Sequence, residues 1–177
     1  IISVTGEGGA GKSTLLARLA SIGTSAEYNA RVITCDDRQL SPILAMGYIG
    51  QKLAEQGLTE KEFDERYKKY GELRQELESD PKVPRGGLDL LAMGVTDFTI
   101  KSLRRAPGVG VFLEYVDEKA AGAALAEVVQ HGIAKWGNKD EVKLLRDPEQ
   151  VLTPLFLKLI RKAYDDHKLV LMFDVFE

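Results

Sequence analysis

The stretch Gly6-Glu7-Gly8-Gly9-Ala10-Gly11-Lys12-Ser13 decides the fold of this 177-residue chain. It has the spacing G-x-x-x-x-G-K-S, it follows the β-branched run at residues 1–5, and it opens a helical apolar pattern over residues 12–22. Glycines in such a turn let backbone N–H groups point inward around phosphate oxygens at the start of a helix. The stretch therefore predicts a strand, a phosphate-binding loop and a helix, in that order.

The loop residues have separate predicted roles. Lys12 is expected to reach the β- and γ-phosphates of a nucleotide, Ser13 to ligate Mg²⁺, and Thr14 to support the α-phosphate. A glycine-rich turn that binds nothing is the alternative, which the flanking strand and helix disfavour. The nucleotide-binding residues are predicted to be Gly6, Glu7, Gly8, Gly9, Ala10, Gly11, Lys12, Ser13 and Thr14.

A second element lies at residues 169–174. Leu169-Val-Leu-Met-Phe173 is a continuous apolar run of the kind found in buried parallel strands, and Asp174 follows it. We expect this strand to lie beside the strand at residues 1–5 and to carry Asp174 to the Mg²⁺ shell, as the second catalytic residue after Lys12. Glu177 either polarises an attacking water as a third catalytic residue or is a solvated end residue.

The nucleotide is predicted to be ATP. A GTPase carries Asp-x-x-Gly after its metal strand, whereas residues 174–177 read Asp-Val-Phe-Glu. Residues 138–141 read Asn-Lys-Asp-Glu, which approaches a guanine-binding motif but precedes the metal strand, so we attribute it to chance. Glu7 stands where dimeric ParA-like ATPases carry a lysine, which argues against that class.

Residues 4–19 resemble the P-loop of STAND NTPases, the NACHT/NB-ARC-related branch of AAA+-like ATPases, and residues 169–177 are similar to the Walker B strand of bacterial members. The resemblance implies an α/β P-loop fold with a parallel sheet core. It also implies a Mg-ATP switch in a signalling or defence protein, in which ATP exchange permits self-association and attached sensor and effector domains respond. Val175 departs from the acidic residue that often follows the Walker B aspartate.

The long interval between the two motifs is predicted to be mostly helical. Asp174 lies 162 residues after Lys12, because 174 − 12 = 162. Periodicity predicts a strand at 31–35 and another at 109–116. The predicted helices cover 42–56, 59–79, 88–105, 120–136 and 151–160. We interpret about 41–105 as a helical insertion, and the 177 residues as a partial nucleotide-binding domain of a larger multidomain protein.

Composition excludes several classes of protein. Lys plus Arg number 24 and Asp plus Glu 27, giving a net charge of −3, which argues against a protein that mainly binds nucleic acid. Residues 1–177 contain no run of 18 apolar residues, so no membrane span is expected. The single cysteine, Cys35, favours a reduced, cytoplasmic environment.

Two other functions stay open. A small-molecule kinase would use Asp36 or Asp37 as base and Arg104 or Arg105 as lid, although these residues are also typical of a strand end and a helix end. A non-catalytic nucleotide-binding scaffold is the third possibility. The remaining candidates have no motif around them: Arg85, His131 and His167.

Overall fold

The two β-strands that the structure describes pair in parallel. The computed structural model describes residues 7, 9–36, 41–83, 85, 87 and 118–174. In it, β1 (Arg31–Cys35) pairs with β2 (Leu169–Phe173) from Arg31 opposite Leu169 to Cys35 opposite Phe173. These residues are therefore mixed α/β with a small parallel sheet, which confirms the predicted fold class at this coarser level.

Helices make up most of the described chain. Their bounds agree with the periodicity at α1, α3 and α4 to within about two residues, the usual uncertainty of helix ends. The predicted helix at 88–105 and strand at 109–116 lie outside the described residues, so the insertion at 41–105 stays a prediction. The helices are α1 (Lys12–Gly23), α2 (Pro42–Ala54), α3 (Lys61–Glu78), α4 (Glu118–Trp136), α5 (Lys139–Arg146) and α6 (Pro148–Asp166).

Helix α5 was not predicted from the sequence. It begins after Asn138, whose side chain accepts a hydrogen bond of 3.0 Å from the backbone N–H of Asp140. Asp140 and Glu141 lie in its first turn and Arg146 in its last, which suits the helix dipole. The stretch at 138–141 that resembles a guanine-binding motif is therefore the capped start of a helix.

The chain divides into two compact units, each with its own buried side chains. The first unit falls within Ile1–Leu40, Leu44–Glu60 and Phe156–Glu177, and the second within Ser41–Ile43 and Lys61–Leu155. In the first, Ile33, Cys35, Met46, Ile49, Leu53 and Leu159 are buried. In the second, the buried residues include Phe63, Tyr70, Leu73, Leu77, Val128, Leu144, Leu145 and Leu152.

Within the first unit, helices approach β1 from both faces. Alternate residues of a strand point to opposite faces. Val32 points toward α1, because a Cβ placed on Gly23 would lie 2.9 Å from Val32 Cγ2. On the other face, Arg31 Nη1 donates to the carbonyl of Ala163 in α6 at 3.4 Å. The sheet therefore lies between α1 and α6.

The exposure of β2 differs from the prediction of a buried strand, whereas its predicted position beside residues 1–5 stays a prediction. Its partner in the described structure is β1, and any pairing with residues 1–5 lies outside the described residues. Leu169 to Met172 are half-buried, and Phe173 is 53% exposed. An apolar strand pattern favours burial but does not specify which strand supplies the neighbouring edge.

Candidate functional site

The loop before α1 adopts a conformation that requires glycine. Gly9 and Gly11 both have φ of +81°, in the left-handed region that other residues rarely enter. The backbone N–H of Ala10 donates to the carbonyl of Glu7 at 3.2 Å, which closes a turn. A Cβ placed on either glycine would have no heavy atom within 4 Å among its non-neighbouring residues. Among the described residues, a side chain at either position would therefore meet backbone strain and not a steric collision.

The N-terminus of α1 follows this turn directly. Its N-cap residue is Gly11, which has no side chain to cap the helix, and the first turn contains no acidic residue. The first N–H groups of a helix have no partner within the helix, and they carry the positive end of its dipole. Such a terminus favours an anion.

Lys12 adds a positive charge to this terminus. Its Nζ donates to the carbonyl of Glu7 at 3.1 Å, so the ammonium group lies across the loop rather than away from it. Lys12 is half-buried, whereas Ser13 and Thr14 are exposed. The described loop residues thus combine backbone donors, a hydroxyl and an ammonium group in one short segment.

Two carboxylates follow the two strands at the same edge of the sheet. Asp36 follows β1 and Asp174 follows β2, and both are half-buried. The N–H of Asp174 donates to the carbonyl of Cys35 at 2.8 Å, which extends the parallel ladder by one bond and fixes the backbone at Asp174. Cys35 itself is buried, and burial, followed by the charge of Asp36, raises the pKa of its thiol.

The connection between α1 and β1 directs the loop toward this edge. The N–H of Ala30 donates to the carbonyl of Gly23 at 2.8 Å, so α1 ends beside the start of β1. The 12 residues of α1 span about 18 Å and the 5 residues of β1 about 16 Å. Because α1 packs against β1, its N-terminus points toward the carboxyl edge, where Asp36 and Asp174 follow the strands.

Several predicted site residues lie outside the described residues: Gly6, Gly8, Asp37, Arg104, Arg105 and Glu177. Arg85 and His167 are exposed. Among the described residues, no three or more His, Cys, Asp or Glu side chains form a group that could hold a metal. The predicted Mg²⁺ site would use only one carboxylate, that of Asp174, with the hydroxyl of Ser13.

The sequence predicts that His131 is isolated, whereas the structure places it beside charged side chains. Its Nε2 lies 3.0 Å from Asp80 Oδ2, and Lys135 Nζ lies 3.5 Å from the same oxygen. The backbone N–H of Lys82 donates to Asp80 Oδ1 at 3.0 Å. This backbone bond, followed by the bond from His131, lowers the pKa of Asp80 from 3.8 to about 2. The cluster belongs to the second unit and connects the end of α3 to α4.

Comparisons with models of protein families, with curated protein sequences and with solved structures find no significant match to this chain. None of the described helices is both long and apolar enough to cross a membrane.

Proposed function

We propose that the first unit binds Mg-ATP and hydrolyses it slowly, and that the bound nucleotide controls self-association of a multidomain signalling or defence protein of the STAND type. The observation that carries this proposal is the loop before α1, with left-handed glycines, an uncapped helix N-terminus and Lys12 held across it. These are the groups that recognise a polyphosphate.

The backbone and the charge of the described loop residues both support binding of a triphosphate. Gly9 and Gly11 both lie in the left-handed region, where side chains would strain the backbone of the turn. The leading N–H groups of α1 carry the positive end of the helix dipole, and the Lys12 ammonium adds a full positive charge beside them. An adenine nucleotide supplies the phosphoryl group that is transferred to water.

The side chains of the candidate site have distinct roles in this proposal. Lys12 pairs with phosphate oxygens, and Ser13 and Asp174 hold Mg²⁺ through a hydroxyl and a carboxylate, the hard oxygen ligands that this ion prefers. The backbone bond from Asp174 to Cys35 supports this role, because it fixes the position in the chain from which the carboxylate extends. The role of Glu177 in orienting water stays a prediction.

Substitution of Lys12 tests nucleotide binding. We expect Lys12→Ala to abolish Mg-ATP binding by the complete protein in titration calorimetry, because the substitution removes the only side-chain cation of the loop between Glu7 and Thr14. Lys61→Ala is the matched control, since this lysine is 87% exposed on α3 and pairs only loosely, at 3.8 Å, with Glu65. Equal affinities of the two variants would overturn the site.

The switch is tested separately by light scattering after gel filtration. We expect the wild-type protein to self-associate with Mg-ATP and to have a lower mass with Mg-ADP. In a separate assay of phosphate release, we expect Asp174→Asn to hydrolyse ATP more slowly than the wild type. Assembly that depends on ATP but occurs without any turnover in the wild type would support a scaffold rather than an ATPase.

The position of Asp36 favours a P-loop kinase as the second candidate. Asp36 follows the strand next to that of Asp174, so its carboxylate lies at the edge where an acceptor hydroxyl would be deprotonated. With γ-labelled ATP, a kinase passes the label to a small molecule, whereas an ATPase releases it as inorganic phosphate. Asp36→Asn would abolish transfer in a kinase and leave phosphate release nearly unchanged in an ATPase.

A further inference from the structure

A cleft lies where α4 ends and α5 begins, inside the second unit. Gly137, with φ of +62°, ends α4 in the left-handed conformation, and its N–H donates to the carbonyl of Ile133 at 3.1 Å. Asn138 caps α5 directly after it, so the second helix starts close to the end of the first. The cleft has a volume of about 370 Å³ and is open to solvent. Besides Gly137 and Asn138, the described residues that line this basic cleft are Ile133, Lys139, Val142, Lys143 and Arg146.

Three cations line the basic cleft. Lys139, Lys143 and Arg146 are spaced i, i+4 and i+7, which places them on one face of α5. The opposite face of this helix is turned inward, because Leu144 and Leu145 are buried. Within the described residues, neither Lys139 nor Lys143 has an ion-pair partner, and no carboxylate lines the cleft.

The acidic residues of α5 and its end leave most of this positive charge uncompensated. Glu141 contacts α3, where its Oε1 lies 3.0 Å from Lys69 Nζ. Asp147 Oδ2 accepts from Arg146 Nε at 2.7 Å, which occupies one donor of the guanidinium group. Asp140, in the first turn, does not line the cleft. The cleft is therefore locally positive and attracts anions, although the net charge of the chain is −3.

The basic cleft also has an apolar part. Ile133, in the last turn of α4, is 50% exposed, and Val142 is half-buried on α5. The aliphatic stems of the lysine and arginine side chains add to this apolar surface. An inorganic anion would leave the apolar part uncovered. A ligand that carries carboxylates beside an aliphatic or aromatic group would cover both parts.

The shape and the lining of the basic cleft favour a polypeptide as this ligand. Because the cleft is open to solvent, a small molecule would keep one side exposed, whereas small-molecule sites typically bury about 70–90% of their ligand. Single-stranded nucleic acid stacks its bases on aromatic side chains, and the described lining contains none. The three cations extend over about 10 Å of α5, a distance that about three residues of an extended peptide span.

We propose that the basic cleft binds an acidic segment of a partner protein. An aliphatic or aromatic side chain of that segment packs against Ile133 and Val142, and the carboxylates beside it pair with the three cations. The desolvated anchor supplies most of the affinity, and the charges steer and orient the segment. This site is independent of nucleotide binding by the first unit.

Charge reversal of the two lysines tests the ionic part of the site. The probe is a short labelled peptide in which one leucine is flanked by glutamates, and fluorescence anisotropy measures its binding to the complete protein. We expect the double variant Lys139→Glu and Lys143→Glu to bind this peptide about 10-fold more weakly, because two attractive charges become repulsive. The matched control is Lys61→Glu with Lys68→Glu, since these lysines are 87% and 80% exposed on α3 and lie outside the cleft. Equal losses in the two double variants would show a general effect of charge and would overturn the proposal.

Ile133→Ala tests the apolar part of the site. Alanine favours a helix and Ile133 is exposed, so the melting temperature should stay near that of the wild type. The variant should bind the leucine peptide several-fold more weakly, whereas a peptide with alanine in place of leucine should bind the variant and the wild type equally. Absence of peptide binding by the wild type, or equally tight binding of a peptide with glutamine in place of glutamate, would overturn the proposal. An oligothymidylate that bound through Lys139 and Lys143 where the peptide did not would assign the cleft to nucleic acid instead.

Discussion

The left-handed conformation of Gly11 allows a direct test of how the loop binds phosphate. Gly11 has φ of +81° and ψ of +20°. A Cβ at this position meets no atom of the other described residues within 4 Å, so Gly11→Ala introduces no steric collision with them. Its cost is confined to the backbone, and an L-residue in the left-handed region loses about 1–2 kcal/mol relative to glycine.

That cost should appear mainly in nucleotide affinity. The variant can relieve the strain by leaving the left-handed region, which turns the N–H groups of the loop away from the phosphates. Recovering the binding conformation then costs about 1–2 kcal/mol, which corresponds to an ATP affinity about 5- to 30-fold weaker. Titration calorimetry of Mg-ATP into the complete protein measures this change.

Gly71→Ala is the matched control, because Gly71 lies inside α3 and its Cβ would also be in open space. There the same substitution favours the helix by about 0.5–1 kcal/mol, so the melting temperature should rise by about 1–4 °C while ATP affinity stays unchanged. If Gly11→Ala bound ATP as tightly as the wild type, the left-handed turn would not be needed for binding, and the argument from its geometry would fail.

Three further substitutions test the structure in other places. Because the pKa of Asp80 is lowered from 3.8 to about 2, its contribution to stability is present above pH 3.8 and is lost as the pH falls to about 2. The melting temperatures of the wild type and Asp80→Asn should therefore differ most at pH 5 and converge near pH 2, and a constant difference would contradict this. Asn138→Ala removes the cap of α5 and should cost about 1 kcal/mol in urea unfolding, whereas Asn138→Gly should cost only a few tenths; equal costs would argue against the cap. Pro154 lies inside α6, so Pro154→Ala should restore a helical hydrogen bond and stabilise the protein by up to about 3 kcal/mol in the same assay, and no gain would contradict the helix geometry there.

The sequence predicts the local features of the candidate site well. The loop spacing specifies a turn and a helix start, and α1 does begin at Lys12. The strand at residues 31–35 and the strand before Asp174 also follow from short apolar patterns. These features depend on residues close together in the chain, so backbone preferences and local periodicity are sufficient to predict them.

Features that depend on distant residues are not predictable in this way. Asp80 and His131 are 51 residues apart, and no sequence motif around either residue predicts their contact. Similarly, the apolar run before Asp174 predicts a strand but not its pairing with β1. The exposed stripe of α1 is a third example: Leu15, Leu19 and Ile22 are 41–44% exposed, although helical periodicity makes them an apolar face. In each case the pairing or the burial depends on residues that are far away in sequence.

The edge of the sheet explains how a site can form from motifs that are 162 residues apart in sequence. The hydrogen bond from the N–H of Ala30 to the carbonyl of Gly23 holds the end of α1 beside the start of β1, so α1 runs opposite to β1 and points its N-terminus toward the end of that strand. Parallel pairing then places the residue after β2 at the same edge, whatever the length of the crossover between the strands. The position of Asp174 therefore depends on the strand register and on the ladder bond to Cys35, and not on the helices in between. Insertions within the crossover can therefore vary in length, while Asp174 stays at the edge of the sheet toward which the N-terminus of α1 points.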